Sequence, residues 1–188
     1  MPRGLTLRPM KVRYITGRGG RVDRGLSAHL AQYAADYDAL AVDGELLALS
    51  IDEQLSRVRT FIKGAAEGHL IATSYGGYLT MLSLIDAEWA PDRVLLLSPV
   101  LGRSMLPERM MLSRPPRERL LRQALEEGRV IRPQTLQILT GAEDPICCPL
   151  LAQTVAAQLD AEIDVLEGEN HHIDPALVRQ RLSIFLSR

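Results

Sequence analysis

The chain has 188 residues, enough to bury one hydrophobic core, and we predict a single domain over residues 1–188. Its 46% hydrophobic and 24% charged content is typical of a soluble globular protein, and no stretch approaches the roughly 20 apolar residues of a membrane span. The formal net charge of −1 gives no global field that would attract nucleic acid or an anionic membrane, so neither is an expected partner.

Short apolar or β-branched runs alternate with longer helical patterns along the chain. Several of these runs are apolar throughout, as expected for parallel strands that are covered on both faces. The predicted strands are residues 11–16, 39–42, 70–73, 94–97, 135–139 and 162–166. This alternation predicts an α/β fold, a three-layer sandwich around a mostly parallel sheet of about six strands.

Two of the predicted helices have a clear apolar stripe. The first stripe consists of Leu55, Val58, Ile62 and Ala65, which lie on one face over three turns. The second belongs to a C-terminal helix with Asp174 as N-cap and Pro175 at its first position. Its predicted buried residues are Leu177, Val178, Leu182, Phe185 and Leu186.

Nearly forty residues separate the strand that ends near residue 97 from the next one at 135, far more than a usual connection. We predict a helix over residues 117–127, preceded by Pro115 and Pro116 and ended by Gly128. The segment 103–132 is either a lid over the ligand crevice or the crossover helix that the sheet requires.

The stretch I-A-T-S-Y-G-G at residues 71–77 joins a predicted strand to a largely apolar helix, which places Ser74 on the tight turn between them. In a nucleophile elbow the serine takes strained backbone angles, and its hydroxyl projects above the carboxyl end of the sheet. Such a turn brings together the residues two before and two after the serine, and the small Ala72 and Gly76 suit that contact. The alternative is an ordinary strand-to-helix turn.

Two downstream loops supply partners for a serine nucleophile. The sequence T-G-A-E-D-P puts Asp144 just past the strand at 135–139, and G-E-N-H-H puts His171 and His172 just past the last strand. A serine hydroxyl needs a base, histidine titrates in the right range, and the imidazole needs an acceptor that fixes its tautomer. All these groups follow the carboxyl ends of strands, where open α/β sheets place their ligand crevice.

With these motifs the chain resembles the α/β-hydrolase superfamily from residue 11 to its C-terminus. A-T-S-Y-G-G matches the elbow, G-A-E-D-P the acid loop and G-E-N-H the histidine loop, in the order serine, acid, histidine. The resemblance implies Ser74 as nucleophile, Asp144 as acid and His171 as base. His171 is preferred to His172 because the family's usual Gly-x-x-His run is matched from Gly168.

The resemblance also implies an oxyanion hole built from two backbone N–H groups, those of Tyr75 and Arg18. Relatives often have His-Gly where this chain has Thr16-Gly17, so the loop I-T-G-R-G-G-R departs from the family pattern. The chain is short for the superfamily and is expected to lack the leading antiparallel strands. An alternative is that G-R-G-G is the phosphate-binding loop of a Rossmann-like nucleotide-binding domain. Its spacing between strand and helix matches neither a P-loop nor a dinucleotide-binding fingerprint.

The adjacent Cys147 and Cys148 are the cysteines of the chain. A disulfide between neighbouring cysteines would close a strained ring and would cross-link no distant parts of the chain. This favours a reducing, cytoplasmic setting. Without a second Cys/His pair at ligand spacing they also make a poor zinc site, so we expect no metal, and we expect no other cofactor.

The motifs together predict a serine hydrolase that cleaves an ester, thioester or amide of a small molecule through an acyl-enzyme. An acyltransferase would use the same residues, and a non-catalytic ligand-binding protein would use the same fold. Basic residues concentrate in 1–24 and 103–132, which indicates either solvated surface charge or an anionic substrate, with Arg18 and Arg21 as binding candidates. Met105 suits an apolar acyl pocket or core packing, whereas His29 and His69 are expected to have ordinary surface or core roles.

Overall fold

A computed structural model describes residues 10–103 and 115–187. Its strands are β1 (Lys11–Arg18), β2 (Asp36–Val42), β3 (His69–Thr73), β4 (Arg93–Leu97), β5 (Thr135–Gly141) and β6 (Glu162–Leu166). They form one six-stranded sheet in the order β2-β1-β3-β4-β5-β6, and every neighbouring pair is parallel. The predicted fold class and number of strands are confirmed.

The helices of the described residues are α1 (Leu26–Leu30), α2 (Gly44–Leu47), α3 (Ile51–Lys63), α4 (Ser74–Ser83), α5 (Glu118–Glu126), α6 (Pro149–Gln158) and α7 (Pro175–Leu186). Buried side chains of α2, α3, α4, α5 and α6 form one core on the first face of the sheet. Those of α1 and α7 form a second core on the opposite face. The sheet is therefore the middle layer of a three-layer sandwich.

Consecutive residues of β3 show why the strands are apolar throughout. Leu70 and Ala72 belong to the core under α3 and α4, whereas Ile71 belongs to the core under α1 and α7. Because successive side chains of a strand point to opposite faces, a central strand covered on both sides has no solvent-facing position left for a polar residue.

The helix predictions are confirmed with two exceptions, both in the stripe predicted for α7. The stripe of α3 is buried as predicted, and α5 lies inside the predicted residues 117–127, with Gly128 at φ +66° just beyond it. At the start of α7, the Asp174 carboxylate accepts the N–H of Ala176. The exceptions are Leu177, which is 37% exposed because it lies beside the buried stripe of α7, and Val178, which is half-buried.

The segment 104–114 of the predicted lid, including Met105, lies outside the described residues. A lid over 103–132 and a substrate contact by Met105 therefore stay predictions. Of the helices in 10–103 and 115–187, none combines the length and the hydropathy that a membrane span requires.

His69, the first residue of β3, generates a prediction about acid stability. Its ring packs edge-on against Phe185 at 5.3 Å, and the Arg93 guanidinium lies over the same phenyl ring. Desolvation on burial, followed by the positive charge of Arg93, lowers the pKa of His69 below its ordinary value of 6.5. Between the lowered pKa and 6.5 the unfolded chain binds this proton more readily, so the free energy of unfolding decreases as the pH falls through that window.

We therefore expect His69→Gln to lose less stability than the wild type when urea unfolding is compared at about pH 7.5 and about pH 5. The comparison concerns the difference between the two proteins, because other groups titrate equally in both. Equal losses would contradict the role assigned to His69.

Candidate active site

Ser74 lies at the sharp turn between β3 and α4, as predicted. The strand ends at Thr73, the helix begins at Ser74, and the serine has a φ of 49°. This left-handed backbone region is costly for a residue with a side chain and persists where the surrounding structure enforces it.

Gly76 fits close to β1. A Cβ built at position 76 would approach Ile15 Cγ2 to 2.8 Å and would also meet the Thr16 carbonyl. The nearest atoms thus belong to β1 and not to Ala72, so the crowding that requires glycine here comes from the neighbouring strand. Glycine at this position lets α4 start directly against the sheet, which holds the turn at Ser74.

Three of the predicted residues meet at the carboxyl end of the sheet. Ser74 Oγ lies 3.0 Å from His171 Nε2, and His171 Nδ1 lies 2.9 Å from Asp144 Oδ2. The Asp144 side chain is fully buried, and that of His171 is 11% exposed. The resemblance preferred His171 to His172. It is the His171 ring that reaches Ser74, while the exposed His172 packs edge-on against it at 5.5 Å.

The backbone of the acid loop fixes the Asp144 carboxylate. Its Oδ1 accepts the N–H groups of Ile146 and Cys147, both at 2.8 Å. These two bonds satisfy one carboxylate oxygen, and Oδ2 faces the imidazole. The charge of a buried carboxylate is tolerated when it is hydrogen-bonded in this way.

Gly141, at the end of β5, allows the acid loop and the histidine loop to touch. A Cβ at this position would lie 2.5 Å from the Asn170 carbonyl oxygen. The Glu143 N–H also donates to the Glu169 carbonyl at 2.9 Å, one loop to the other. The loop after β6 therefore lies against the acid loop, and this places His171 beside Asp144.

The two predicted oxyanion donors flank Ser74. Tyr75 occupies the first turn of α4, where backbone N–H groups have no acceptor within the helix. On β1, Arg18 pairs with Val42, but the N–H that donates to the Val42 carbonyl is that of Gly19. The register of β1 against β2 shifts between Ile15 and Arg18, and Arg18 lies at the end of β1 among the residues that line the same cavity as Ser74.

A cavity of about 760 Å³ opens beside Ser74. It is lined by Ser74, His171, His172, Arg18 and Tyr75, together with mostly apolar residues from β4, α1 and α7. Burial raises the pKa of Tyr75, and the charge of nearby Arg18 partly offsets that shift.

Arg21 does not line this cavity. Its guanidinium forms a two-point ion pair with Asp23 at the surface, at 2.8 and 2.7 Å. The described structure thus gives no support to a substrate contact by Arg21.

Sequence reasoning assigned no site role to several polar residues of the cavity wall, among them His29 of α1 and Arg179 of α7. The spacing of Pro175, Val178 and Arg179 at i, i+3 and i+4 is a signal that they share one helix face. Which helix face borders a cavity depends on the partner helix, however, and the sequence pattern does not contain that information.

Cys147 and Cys148 are free thiols, and Cys147 is buried. Burial raises the pKa of the Cys147 thiol, which keeps it protonated and unreactive as a nucleophile. Within residues 10–103 and 115–187, no group of three or more His, Cys, Asp or Glu side chains is arranged to hold a metal ion.

No protein-family model and no curated protein matches the sequence. Solved structures do match over nearly the whole chain. Est1E from Butyrivibrio proteoclasticus superposes with a TM-score of 0.69 at 15% identity, covering 100% of this chain and 90% of its own. The monoacylglycerol lipase of Paleococcus ferrophilus gives 0.67 at 16% identity, with 96% and 97% covered. A 2-hydroxy-6-oxo-6-phenylhexa-2,4-dienoate hydrolase from Rhodococcus sp. strain RHA1 gives 0.63 at 14% identity, with 95% and 91% covered.

The chain has the α/β-hydrolase fold. The expectation drawn from the elbow, acid and histidine motifs is thereby confirmed at the level of the fold. In this α/β-hydrolase sheet, Ser74 follows β3, Asp144 follows β5 and His171 follows β6.

Replacement of Gly76 by alanine tests the close fit between α4 and β1. We expect Gly76→Ala to lower the free energy of unfolding by about 1–3 kcal/mol, as overpacking does, and to disturb Ser74. Gly44→Ala is the matched control, because a Cβ at position 44 meets nothing within 4 Å; it should stay within about 1 kcal/mol of the wild type. Chemical denaturation measures both, and equal stabilities of the two variants would contradict the assigned contact.

Proposed function

We propose that the protein is a serine hydrolase that cleaves an ester, thioester or amide of a small molecule through an acyl-enzyme. The observation that carries the proposal is the continuous hydrogen-bonded line from Ser74 Oγ through the His171 imidazole to the Asp144 carboxylate. A hydroxyl, a base and an orienting acid in this order are the parts that activate a serine nucleophile.

In the first half of the reaction, Ser74 Oγ attacks the substrate carbonyl carbon. His171 Nε2 takes the hydroxyl proton and then donates it to the leaving alcohol, thiol or amine as the bond to the carbonyl carbon breaks. In the second half, a water molecule attacks the acyl-enzyme and gives its proton to the same nitrogen. Free acid leaves, and the proton returns to Ser74.

Asp144 positions His171 for both proton transfers. With the Nδ1 proton directed at the carboxylate, Nε2 keeps its lone pair for the serine hydroxyl. The negative charge of the buried carboxylate also stabilises the imidazolium that forms during each transfer.

The N–H groups of Tyr75 and Arg18 are proposed to hold the oxyanion. Both residues line the cavity beside Ser74, and the helix dipole of the ten-residue α4 adds positive potential at its start. Removal of one such donor typically costs about 10²–10³ in turnover, so the pair is a substantial part of the proposed rate enhancement.

The fold comparisons support a hydrolytic reaction. The Paleococcus ferrophilus protein is described as a lipase and the Rhodococcus protein as a hydrolase. At 14–16% identity they support the reaction class by analogy of fold, and the choice of substrate rests on the cavity of this chain.

Labelling with a fluorophosphonate tests the nucleophile. We expect the folded wild type to form a covalent adduct on Ser74 and Ser74→Ala to form none, with turnover of a responsive ester reduced on the order of 10⁶-fold. Ser98→Ala is the matched control, because Ser98 also lines the cavity and also has a positive φ of 42°.

Mass spectrometry of the labelled protein locates the adduct. An adduct that persists in Ser74→Ala, or no adduct on the folded wild type, contradicts the proposal. Persistence of the Ser74 adduct in Ser98→Ala is the result that supports it.

Asp144→Asn tests the orienting role of the acid. The amide oxygen can still accept the N–H groups of Ile146 and Cys147, but its NH₂ group then faces His171 and favours the wrong tautomer. We expect kcat for an ester that the wild type hydrolyses to fall by about 10⁴-fold.

Glu143→Gln is the control for that variant. It removes the same charge from the neighbouring residue, which is exposed and whose side chain is not part of the hydrogen-bonded line. A comparable loss of kcat in both variants would show that general charge, and not the tautomer of His171, matters.

A further inference from the structure

We propose that the substrate of this hydrolase carries a carboxylate remote from its scissile carbonyl, and that Arg179 binds this carboxylate. The inference rests on the proposed function of Ser74 and adds the substrate class. It also replaces Arg21, one of the two arginines that the sequence offered as binding candidates, by a residue that the sequence did not single out.

The cavity beside Ser74 extends between the first turns of two helices. Its wall includes Gly25, Leu26 and His29 from the α1 side and Pro175, Val178 and Arg179 from the α7 side. Both sets have the i, i+3 or i, i+4 spacing of a single helix face, so the two helices face each other across this space. We call this part of the cavity the α1–α7 arm.

The interior of the α1–α7 arm is apolar. Leu26 and Val178 line it from the two helices, and Leu97 and Ile173 line it from the sheet and the histidine loop. All four also pack in the core under α1 and α7. A hydrocarbon segment between the carbonyl at Ser74 and a polar end group fits such a wall.

The charged groups of the cavity wall are of one sign. Arg18 and Arg179 line the cavity, and no described lining residue is Asp or Glu. Neither arginine forms an ion pair with a described residue, whereas Arg181, two residues further along α7, pairs with Asp164. The cavity thus presents uncompensated positive charge in a protein whose net charge is −1.

The positions of the two cations assign the carboxylate to Arg179. Arg18 is the last residue of β1 and lines the cavity with Ser74 and Tyr75, and its backbone N–H is a proposed oxyanion donor. Arg179 is at the α1–α7 arm, on the helix that begins directly after the His171 loop. A planar guanidinium matches a carboxylate with two parallel hydrogen bonds, which gives orientation as well as affinity.

Binding to the Ser74→Ala variant tests this inference independently of turnover. The probes are monomethyl succinate, adipate and suberate, each compared with the methyl ester of its ω-carboxamide, which has the same shape without the charge. Isothermal titration calorimetry should give up to about fivefold tighter binding of the charged ester at the length that suits the arm, because Arg179 is exposed and its attraction for a carboxylate is screened by solvent. The preference should weaken as salt is raised.

Arg179→Gln in the Ser74→Ala background is the decisive variant, and Arg181→Gln is its matched control. The first should reduce the ratio of affinities for charged and uncharged ester to near one, and the second should leave that ratio as it is. A ratio near one without the substitution, or the same ratio after Arg179→Gln, overturns the proposal.

Hydrolysis of the same esters by the wild type separates this proposal from the proposed function. Retention of the binding preference in a protein that hydrolyses none of the esters would overturn the hydrolase and leave the carboxylate site in place. Hydrolysis of charged and uncharged esters with equal kcat/KM would overturn the carboxylate site and leave the hydrolase in place.

Discussion

Parallel pairing of the whole sheet is the constraint on which the site depends. It brings the carboxyl ends of all strands to one edge, so that loops far apart in sequence meet there. Two strand spacings, about 10 Å, separate the ends of β3 and β5, too far for Ser74 to touch Asp144 directly. The imidazole of His171 spans this gap, because the loop after β6 folds back against the end of β5 at Gly141.

Local strain at Ser74 is held by packing on both sides of the turn. A non-glycine residue in the left-handed region costs on the order of 1–3 kcal/mol. Before the turn, β3 is hydrogen-bonded between β1 and β4; after it, every residue of α4 from Tyr75 to Ser83 is buried. The absence of a side chain at Gly76 is what allows α4 to lie against β1 at this distance. The hydroxyl is thus presented by rigid elements and not by a free loop.

The two faces of the sheet have different relations to the cavity. Five helices, α2 to α6, pack the first face into the larger core, whereas α1, with only five residues, and α7 cover the second. The cavity extends between these two helices, and its apolar wall consists of residues that also pack in the smaller core. The residues proposed to act on the scissile bond and those proposed to select the substrate are therefore on one continuous surface, from Ser74 through His171 to Arg179.

The sequence by itself determined the strands, most of the helices and the loops that contain Ser74, Asp144 and His171. These features depend on neighbours in the chain: the length of an apolar run, the spacing of a stripe, a cap such as Asp174, a serine between small residues. Only the tertiary structure decided that β1 is what requires Gly76, and that Arg179 lines the cavity while Arg21 pairs with Asp23. The orientation of a side chain in a loop or on a helix surface depends on elements distant in sequence. A local sequence pattern does not specify which of those elements pack against it.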